Sequence, residues 1–490
     1  MIKKRLAATL LGFAFTASLF AGFTTKVAKS SVDPSKLAPC TLTYYTIGTP
    51  QKDLDIVSAA ASKYLKQKIN ATLKIVQFDW GDYETKMNVK LNSGEKFDLC
   101  FTCSWALNYN KNARKGAFMD LTSLMAKYGK DMTKLINPNF IKGNKIDGKL
   151  YAVPVNKEIG QQPVFRFNKK YVDKYKIDYK KMTTYESLEP ALKKVCAGEK
   201  DLITGFRPSS GEELNCDFLV DKVPIVMDFG TKDYKFKNYF TMPQTVKFFN
   251  TMRKYYQAGY IRKDAIASLK NDGADETKSG KWLVDTASTQ PYADDLWSES
   301  YGYPVESTIM RNPVTTNTSV SGSMIAISAT SENPERAMMF LNLLNSDSYL
   351  RNLINYGIEG THYIKKDATH IEITQAGKNN YSVPAFSLGN VFLTYLPVGT
   401  PTDKWKKFEA FNKSSKNAPT LGFEFDQEPV KNELAALRNV WDEFFGPLKS
   451  GAVDPKEYLP KANAKLKSAG IDKVIAEAQR QFNAWKAKNK

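Results

Sequence analysis

The 490-residue sequence predicts an α/β protein whose first sheet is doubly wound and mostly parallel. Three observations carry that expectation. Residues 41–102 alternate strand, helix, strand, helix, strand, the order that winds a parallel sheet. The third strand, in "FDLCFTCSW", is apolar almost throughout, as a strand covered on both faces should be. The length exceeds what one core serves, so two or three domains, or one large two-lobed body, are expected.

Before the first strand comes a leader. Residues 1–30 begin with Lys3, Lys4 and Arg5 and continue as an uncharged apolar run from Leu6 to Phe23. That run is a secretory signal at its upper length and short for a bilayer span. Ala28-Lys29-Ser30 and Leu19-Phe20-Ala21 both offer small residues for cleavage, and an uncleaved leader acting as an anchor stays open. Phe23 follows "LFAG" where an acylated lipoprotein carries cysteine, which excludes acylation there. Residues 31–40 form a polar, proline-containing spacer.

"CTLTYYTIG" then alternates and is rich in β-formers, giving a strand over 41–47. Leu54, Val57, Ala61, Tyr64 and Leu65 share one face of a following helix. "ATLKIVQFDW" is the second strand; a helix with Tyr83, Met87 and Leu91 in register stops at Gly94. "GKLYAVPVNKE" holds a further short strand ending in a polar loop. From about 180 to 310 the pattern stays mixed, with a helix over 246–256 and a strand in "GKWLVDTAS". A strand over 323–329 leads to Asn333 as helix cap and Pro334 at the first helical position. Two amphipathic helices close the chain, one with Leu434, Leu437, Trp441 and Phe444 inward, the other with Val474, Ala478 and Phe482. Pro455 and Pro460 punctuate their connection.

The formal charge of +19 falls to about +14 if the five basic residues of the leader are removed. The remaining lysines are scattered, which describes a solvated basic exterior that also steers anionic polymers or acidic substrates. An exported chain with no nucleic-acid module is not expected to bind nucleic acid. G-x-S-x-G, H-E-x-x-H, Walker, G-x-G-x-x-G and EF-hand spacings are all absent. The two histidines, His362 and His370, have no supporting motif, so no metal or cofactor is expected. Glu158, Glu212, Glu213 and Glu359 are the carboxylates a glycoside hydrolase would draw on, with surface solvation or hydroxyl binding as their other reading.

Aromatics gather at strand ends instead. Tyr44 and Tyr45 precede "IGTP", Trp80 ends the second strand and Trp105 closes the third. Ligands of open parallel sheets bind beyond the carboxyl ends of the strands. Aromatic faces there suit sugar rings, with Asp79, Thr102 and Ser104 beside them to bond hydroxyls.

With those residues in place, the chain resembles the extracellular solute-binding proteins of bacterial ABC importers, in the class of maltose- and oligosaccharide-binding proteins. It looks like the Gram-positive subfamily with a dedicated C-terminal region. The blocks that carry this are "DWGDYETKMNVKLNSGEKFDL", "GKLYAVPVNKE", "ENPERAMMFLNLL", "NLINYGIEGTHY" and "LGFEFDQEPVKNELAALRNV". The resemblance implies a type II, periplasmic-binding-protein-like fold: two lobes, each a mostly parallel sheet flanked by helices, a hinge of two or three crossovers, and extra C-terminal helices. It implies lobe one over 41–157 and 316–380, and lobe two over 158–315 and 381–490, crossing near "AVPVNKE" and near residues 313–322. Thr49, Trp80, Thr102, Ser104 and Trp105 would line lobe one, Glu158 would reach in from the crossover, and Trp282 and Tyr292 would serve lobe two. Glu359 and His362 are typical of the family, as pocket residues or as parts of a structural turn.

The function so implied is capture of a carbohydrate, an oligosaccharide or uronic-acid-containing glycan, by hinge closure and delivery to membrane permease subunits. That makes the expected protein a secreted, cell-surface-associated monomer without catalysis. The alternatives are a secreted carbohydrate-active enzyme using cleft carboxylates, or a peptide- or lipid-binding protein on the same fold. Cys100 and Cys103, three apart on a strand, should point to opposite faces and not pair with each other. Cys100 is expected in the core and Cys103 near the cleft mouth, with a bond from either to Cys40 left open.

Overall fold

The computed structural model describes Asp33 and residues 36–208, 214–270 and 274–489. The expected leader, residues 31, 32, 34 and 35 of the spacer, and Glu212 and Glu213 lie outside the described residues.

Two sheets organise the chain. The first uses β1 (Cys40–Ile47), β2 (Ala71–Phe78), β3 (Leu99–Thr102) and β4 (Ala152–Pro154). The second uses β5 (Gln162–Asn168), β6 (Thr204–Arg207), β7 (Trp282–Thr289) and β8 (Val305–Ile309), after which β9 (Met324–Ile327) returns to the first. Their orders are β2-β1-β3-β9-β4 and β8-β5-β7-β6. In the second sheet β5 runs antiparallel to β7 and β8 and only β6 and β7 are parallel, against the mostly parallel sheet expected in each lobe. β1 pairs in parallel with β2 and β3, while β9 runs antiparallel to β3 and β4, so the first sheet is mixed. The reason is topological: β9 arrives from the other lobe at the carboxyl end of the parallel strands.

Helices cover both faces. The ones used below are α1 (Leu54–Ile69), α2 (Tyr83–Ser93), α3 (Pro243–Gln257), α4 (Pro334–Ser346), α5 (Ser348–Tyr356), α6 (Lys404–Ser414), α7 (Lys431–Ser450), α8 (Pro455–Ser468) and α9 (Ile471–Lys488). Val57, Ala61 and Leu65 of α1 are buried at the expected spacing, beside Phe340, Leu341 and Leu344 of α4. Asn333 precedes α4 as expected, although its side chain makes no capping bond. The 455–468 connection is a helix rather than a punctuated loop. Asp454 caps it, Pro455 occupies the first turn where its missing N–H costs nothing, and the helix runs on through Pro460.

Each lobe has its own core. Leu42, Tyr44, Val57, Ala337 and Phe340 belong to the first, on one face of its sheet. Phe165, Phe167, Phe249, Leu437, Trp441 and Phe482 belong to the second. Tyr381, Val383 and Leu388 lie in the first core, so the return segment extends past the expected boundary at 380. Three crossings join the lobes and bond side by side. Gln161 and Val314 exchange backbone hydrogen bonds of 2.9 and 3.0 Å, and Val314–Thr315 pairs in parallel with Lys416–Asn417. The third crossing falls at Leu421–Phe423, well past the boundary expected after residue 380. Leu421 packs in the first core and Phe423 in the second, and Gly422 between them adopts φ 89°. A side chain at Gly422 would be strained there and would press on Lys142.

Candidate functional site

The loops after β2 and β3 present an aromatic surface. Trp80 and Trp105 are 43% and 53% exposed, with ring centroids 6.4 Å apart and planes 24° from parallel. Phe386, from the return segment, completes the group at 6.1 Å from Trp80 and 6.4 Å from Trp105. Exposed aromatic faces in contact with one another are costly in water unless something covers them. The backbone beneath is fixed. The Trp80 amide donates to Asp79 Oδ1 at 2.8 Å, and Thr49 Oγ1 donates to the same oxygen at 3.4 Å. Trp105 Nε1 donates to the Gly322 carbonyl at 2.9 Å, and the Ser104 amide donates to the Ser321 carbonyl at 2.9 Å. The start of β9 thus holds the loop after β3.

The cysteine pair has a local role. Cys103 Sγ accepts from the Ala106 amide at 3.1 Å, and Thr102 Oγ1 donates to the Leu107 carbonyl at 2.6 Å. These bonds close a tight turn, with Leu107 at φ 44°, on whose crest Trp105 stands. Burial pushes the Cys103 thiol up to about 12 and raises Cys100 as well, so neither is a reactive thiolate at neutral pH. All five cysteines are free. Cys100 is level with Tyr45 on β1, five residues or about 17 Å from Cys40, beyond the reach of a disulfide. The strand on which opposite facing was expected ends at Thr102, the chain turns there, and both thiols join one hydrophobic cluster.

Of the eight expected site residues, Thr49, Trp80, Ser104 and Trp105 fall in this one surface. Thr102 is wholly buried and its hydroxyl is spent on Leu107, so it shapes the turn instead of meeting a ligand. Glu158 sits on the first crossing, half-buried and paired with Lys157. Tyr292 stands three residues past the hinge-side end of β7, at φ 63°, with its hydroxyl on Asp403 and Lys407 Nζ 4.7 Å from its ring centre.

Trp282 is a correction. Thr289 pairs with Gln162 next to the hinge, while Trp282 begins the same strand seven residues away, roughly 23 Å from the cleft side. Its exposure is 0%, and its indole donates to the Tyr303 hydroxyl at 2.9 Å. Around it, Asp285 accepts from Arg166 Nη2 at 2.8 Å and from Arg207 Nη2, and the Arg207 guanidinium lies 5.0 Å from the Trp282 ring centre. Tyr44 and Tyr45 are likewise buried, not displayed. Phe386 is the residue the sequence did not point to: it lies on a short turn, Ala385–Ser387, with no strand end to mark it.

His362 is structural. Its Nδ1 accepts from the Ile358 amide at 2.9 Å, which leaves the Nε2 proton to donate to Asp53 Oδ2 at 3.1 Å. That bond holds the Asp53 carboxyl below its usual range. Glu359 pairs with Lys365 at 2.9 Å on the surface. Among the described residues no cluster of His, Cys, Asp or Glu could hold a metal ion, and no helix is long and apolar enough to cross a membrane.

Two lobes joined by three crossings, with an exposed aromatic surface beyond the strand ends, define a hinged ligand-binding protein of the type II class. Bacterial extracellular solute-binding proteins, as a family, match residues 59–364, more than half of the chain, and the chain belongs to that family. Residues 419–487 match a domain of unknown function, DUF3502. A carbohydrate ABC transporter substrate-binding protein of Streptococcus pneumoniae serotype 4 is 34% identical over 457 residues, covering 91% of each chain. The crystal structure of the N-glycan transport solute binding protein NgtS from Streptococcus pneumoniae is 32% identical, with TM-score 0.84 over 92% of this chain and 100% of that one. NgtS in complex with Man1GlcNAc superposes with TM-score 0.76 over 91% and 99%, and in complex with Man5GlcNAc with 0.73 over 92% and 100%.

Proposed function

We propose that this chain is the extracellular capture subunit of a carbohydrate ABC importer. It holds an oligosaccharide against the Trp80–Trp105–Phe386 surface, closes its lobes about the hinge and hands the sugar to membrane permease subunits. The observation that carries this reading is the exposed, mutually stacked Trp80 and Trp105, a surface fit for the apolar face of a pyranose ring. Tyr292 and Glu158 approach from the second lobe and the hinge, and supply hydroxyl and carboxylate partners once the lobes close. The basic leader is removed on export, and the protein works as a monomer without catalysis.

Two relationships support the ligand class. The relatives are named for carbohydrate and N-glycan transport, which favours mannose- and N-acetylglucosamine-containing glycans over the uronic acids the basic surface also suits. The fall in TM-score from 0.84 to 0.76 and 0.73 at near-constant coverage fits a rigid-body difference among those NgtS structures, with this chain nearer the first of them. A ligand that bridges both lobes closes them only through contacts the open state lacks. The test is a tryptophan-fluorescence titration against Man5GlcNAc, Man1GlcNAc, alginate oligosaccharides and peptides. Saturable binding of the mannosides is expected. Binding of peptides with no response to any sugar would overturn the reading.

A further inference from the structure

Arg351, on α5, is 0% exposed, and among the described residues no carboxylate pairs with it. Its guanidinium donates in three directions to neutral oxygens instead. Nε reaches the Asn390 carbonyl at 3.2 Å, Nη2 the Ala385 carbonyl at 2.9 Å, and Nη1 Asn355 Oδ1 at 2.8 Å. Desolvation lowers its pKa to about 10. A buried cation without an anion is an expensive way to fill a core, and an apolar side chain of like volume is normally tolerated better. What an apolar residue cannot do is bond two backbone carbonyls five residues apart from one rigid planar fork.

Those two carbonyls bound the arc 385–390, and Phe386 stands on it. We infer that Arg351 is a positioning residue for ligand binding: it clasps both ends of this arc and so sets the Phe386 ring against Trp80 and Trp105. Ser323 supplies a further restraint, its hydroxyl donating to the Phe386 carbonyl. The far end of the arc is tied to the hinge. Asn390 Oδ1 accepts from Asn156 Nδ2 at 3.2 Å, and the Val391 amide donates to the Asn156 carbonyl at 3.0 Å, on the residue where the first crossing leaves β4. One buried polar network therefore runs from the ring surface through Arg351 and Asn390 to the first crossing. The clasp explains how a short turn without a sheet partner can present an aromatic ring in fixed register. Without it, Phe386 would gain rotational freedom that ligand binding must then remove.

This inference rests on the carbohydrate reading of the aromatic surface, and two readouts separate them. The first is amide exchange of the ligand-free protein in Arg351→Met and Ser323→Ala. Exchange should quicken roughly tenfold or more over residues 384–391 while α1 and β1–β3 keep wild-type protection. The second is Man5GlcNAc affinity by calorimetry in Arg351→Met, Phe386→Ala and the double variant. Each single change should weaken binding about tenfold, and the double variant should bind no worse than Phe386→Ala alone. Additive losses, or wild-type exchange over 384–391 in Arg351→Met, would overturn the clasp. Loss of protection throughout lobe one would also overturn it, by assigning Arg351 to the core alone. Should Arg351→Met fail to fold, Ser323→Ala tests the same arc from its other restraint. If the wild type binds no glycan at all, the carbohydrate reading falls, and the exchange result decides the clasp by itself.

Discussion

The two lobes each gather tryptophan and its aromatic neighbours, and they use them in opposite ways. In lobe one, Trp80 and Trp105 stand on loops past the carboxyl ends of parallel strands, backbone anchored and faces open. In lobe two, Trp282 begins a strand at the end away from the hinge, sealed under two arginines and one aspartate. Arg166 also lies 4.7 Å from the Trp297 ring centre and 4.9 Å from that of Tyr301. The difference teaches that the strand end, not the residue type, decides whether an aromatic is an open surface or a structural plug. It also assigns the two clusters separable effects, on binding and on stability.

The largest effects should come from the plug. Trp282→Ala empties a fully buried site and is expected to cost about 3–5 kcal/mol of stability. Asp285→Asn leaves two buried guanidinium groups facing each other and is expected to cost about as much. Denaturant midpoints measure both, and the fraction still folded should bind glycan as the wild type does. Lower affinity at unchanged stability in Trp282→Ala would erase the distinction between the lobes.

The open surface should behave conversely. Trp80→Ala or Trp105→Ala is expected to cost about 1–2 kcal/mol of binding, roughly ten- to thirtyfold in Kd, with stability shifts near 0.5 kcal/mol. A smaller effect belongs to the third crossing, where burial is the leading cause that raises Glu424 to about 7 and Asp217 to about 6. Glu424 pairs with Arg114 of lobe one at 2.8 Å, and Asp217 accepts from Thr420. With folded values above the ordinary carboxylate range, the native state keeps protons that the unfolded chain has lost. Their contribution is full below about pH 4 and is lost as the pH rises to about 7. Denaturation at several pH values should show Glu424→Gln flattening that decline relative to the wild type; an unchanged slope would mean the carboxyl is solvated. Smallest of all, Glu359→Ala breaks only an exposed pair with Lys365 and should change stability by less than about 1 kcal/mol without touching affinity.

Much of lobe one was legible because its signals are local. Val57, Ala61 and Leu65 fall on one helical face, and the β-α-β-α-β order places Trp80 and Trp105 at strand ends without further information. The first two crossings were expected from the resemblance to solute-binding proteins, near "AVPVNKE" and residues 313–322, and not from any local pattern. What stayed hidden depends on distant partners. Phe386 is held by a charge on α5 and a hydroxyl preceding β9, neither of which its own neighbours announce. Trp282 reads as a strand residue in either orientation, and only its pairing with β5 and β6 shows which end meets the hinge. The Leu421–Phe423 crossing has no length of apolar pattern at all, just one residue for each core about a glycine.

The most direct test of the account is a calorimetric titration of Man5GlcNAc into the Trp80→Ala, Trp105→Ala double variant beside the wild type, with melting temperature recorded for both. Binding should disappear while the melting temperature stays within a few degrees of wild type. Binding at wild-type affinity by the double variant would contradict it, and would move the ligand away from the strand ends of lobe one.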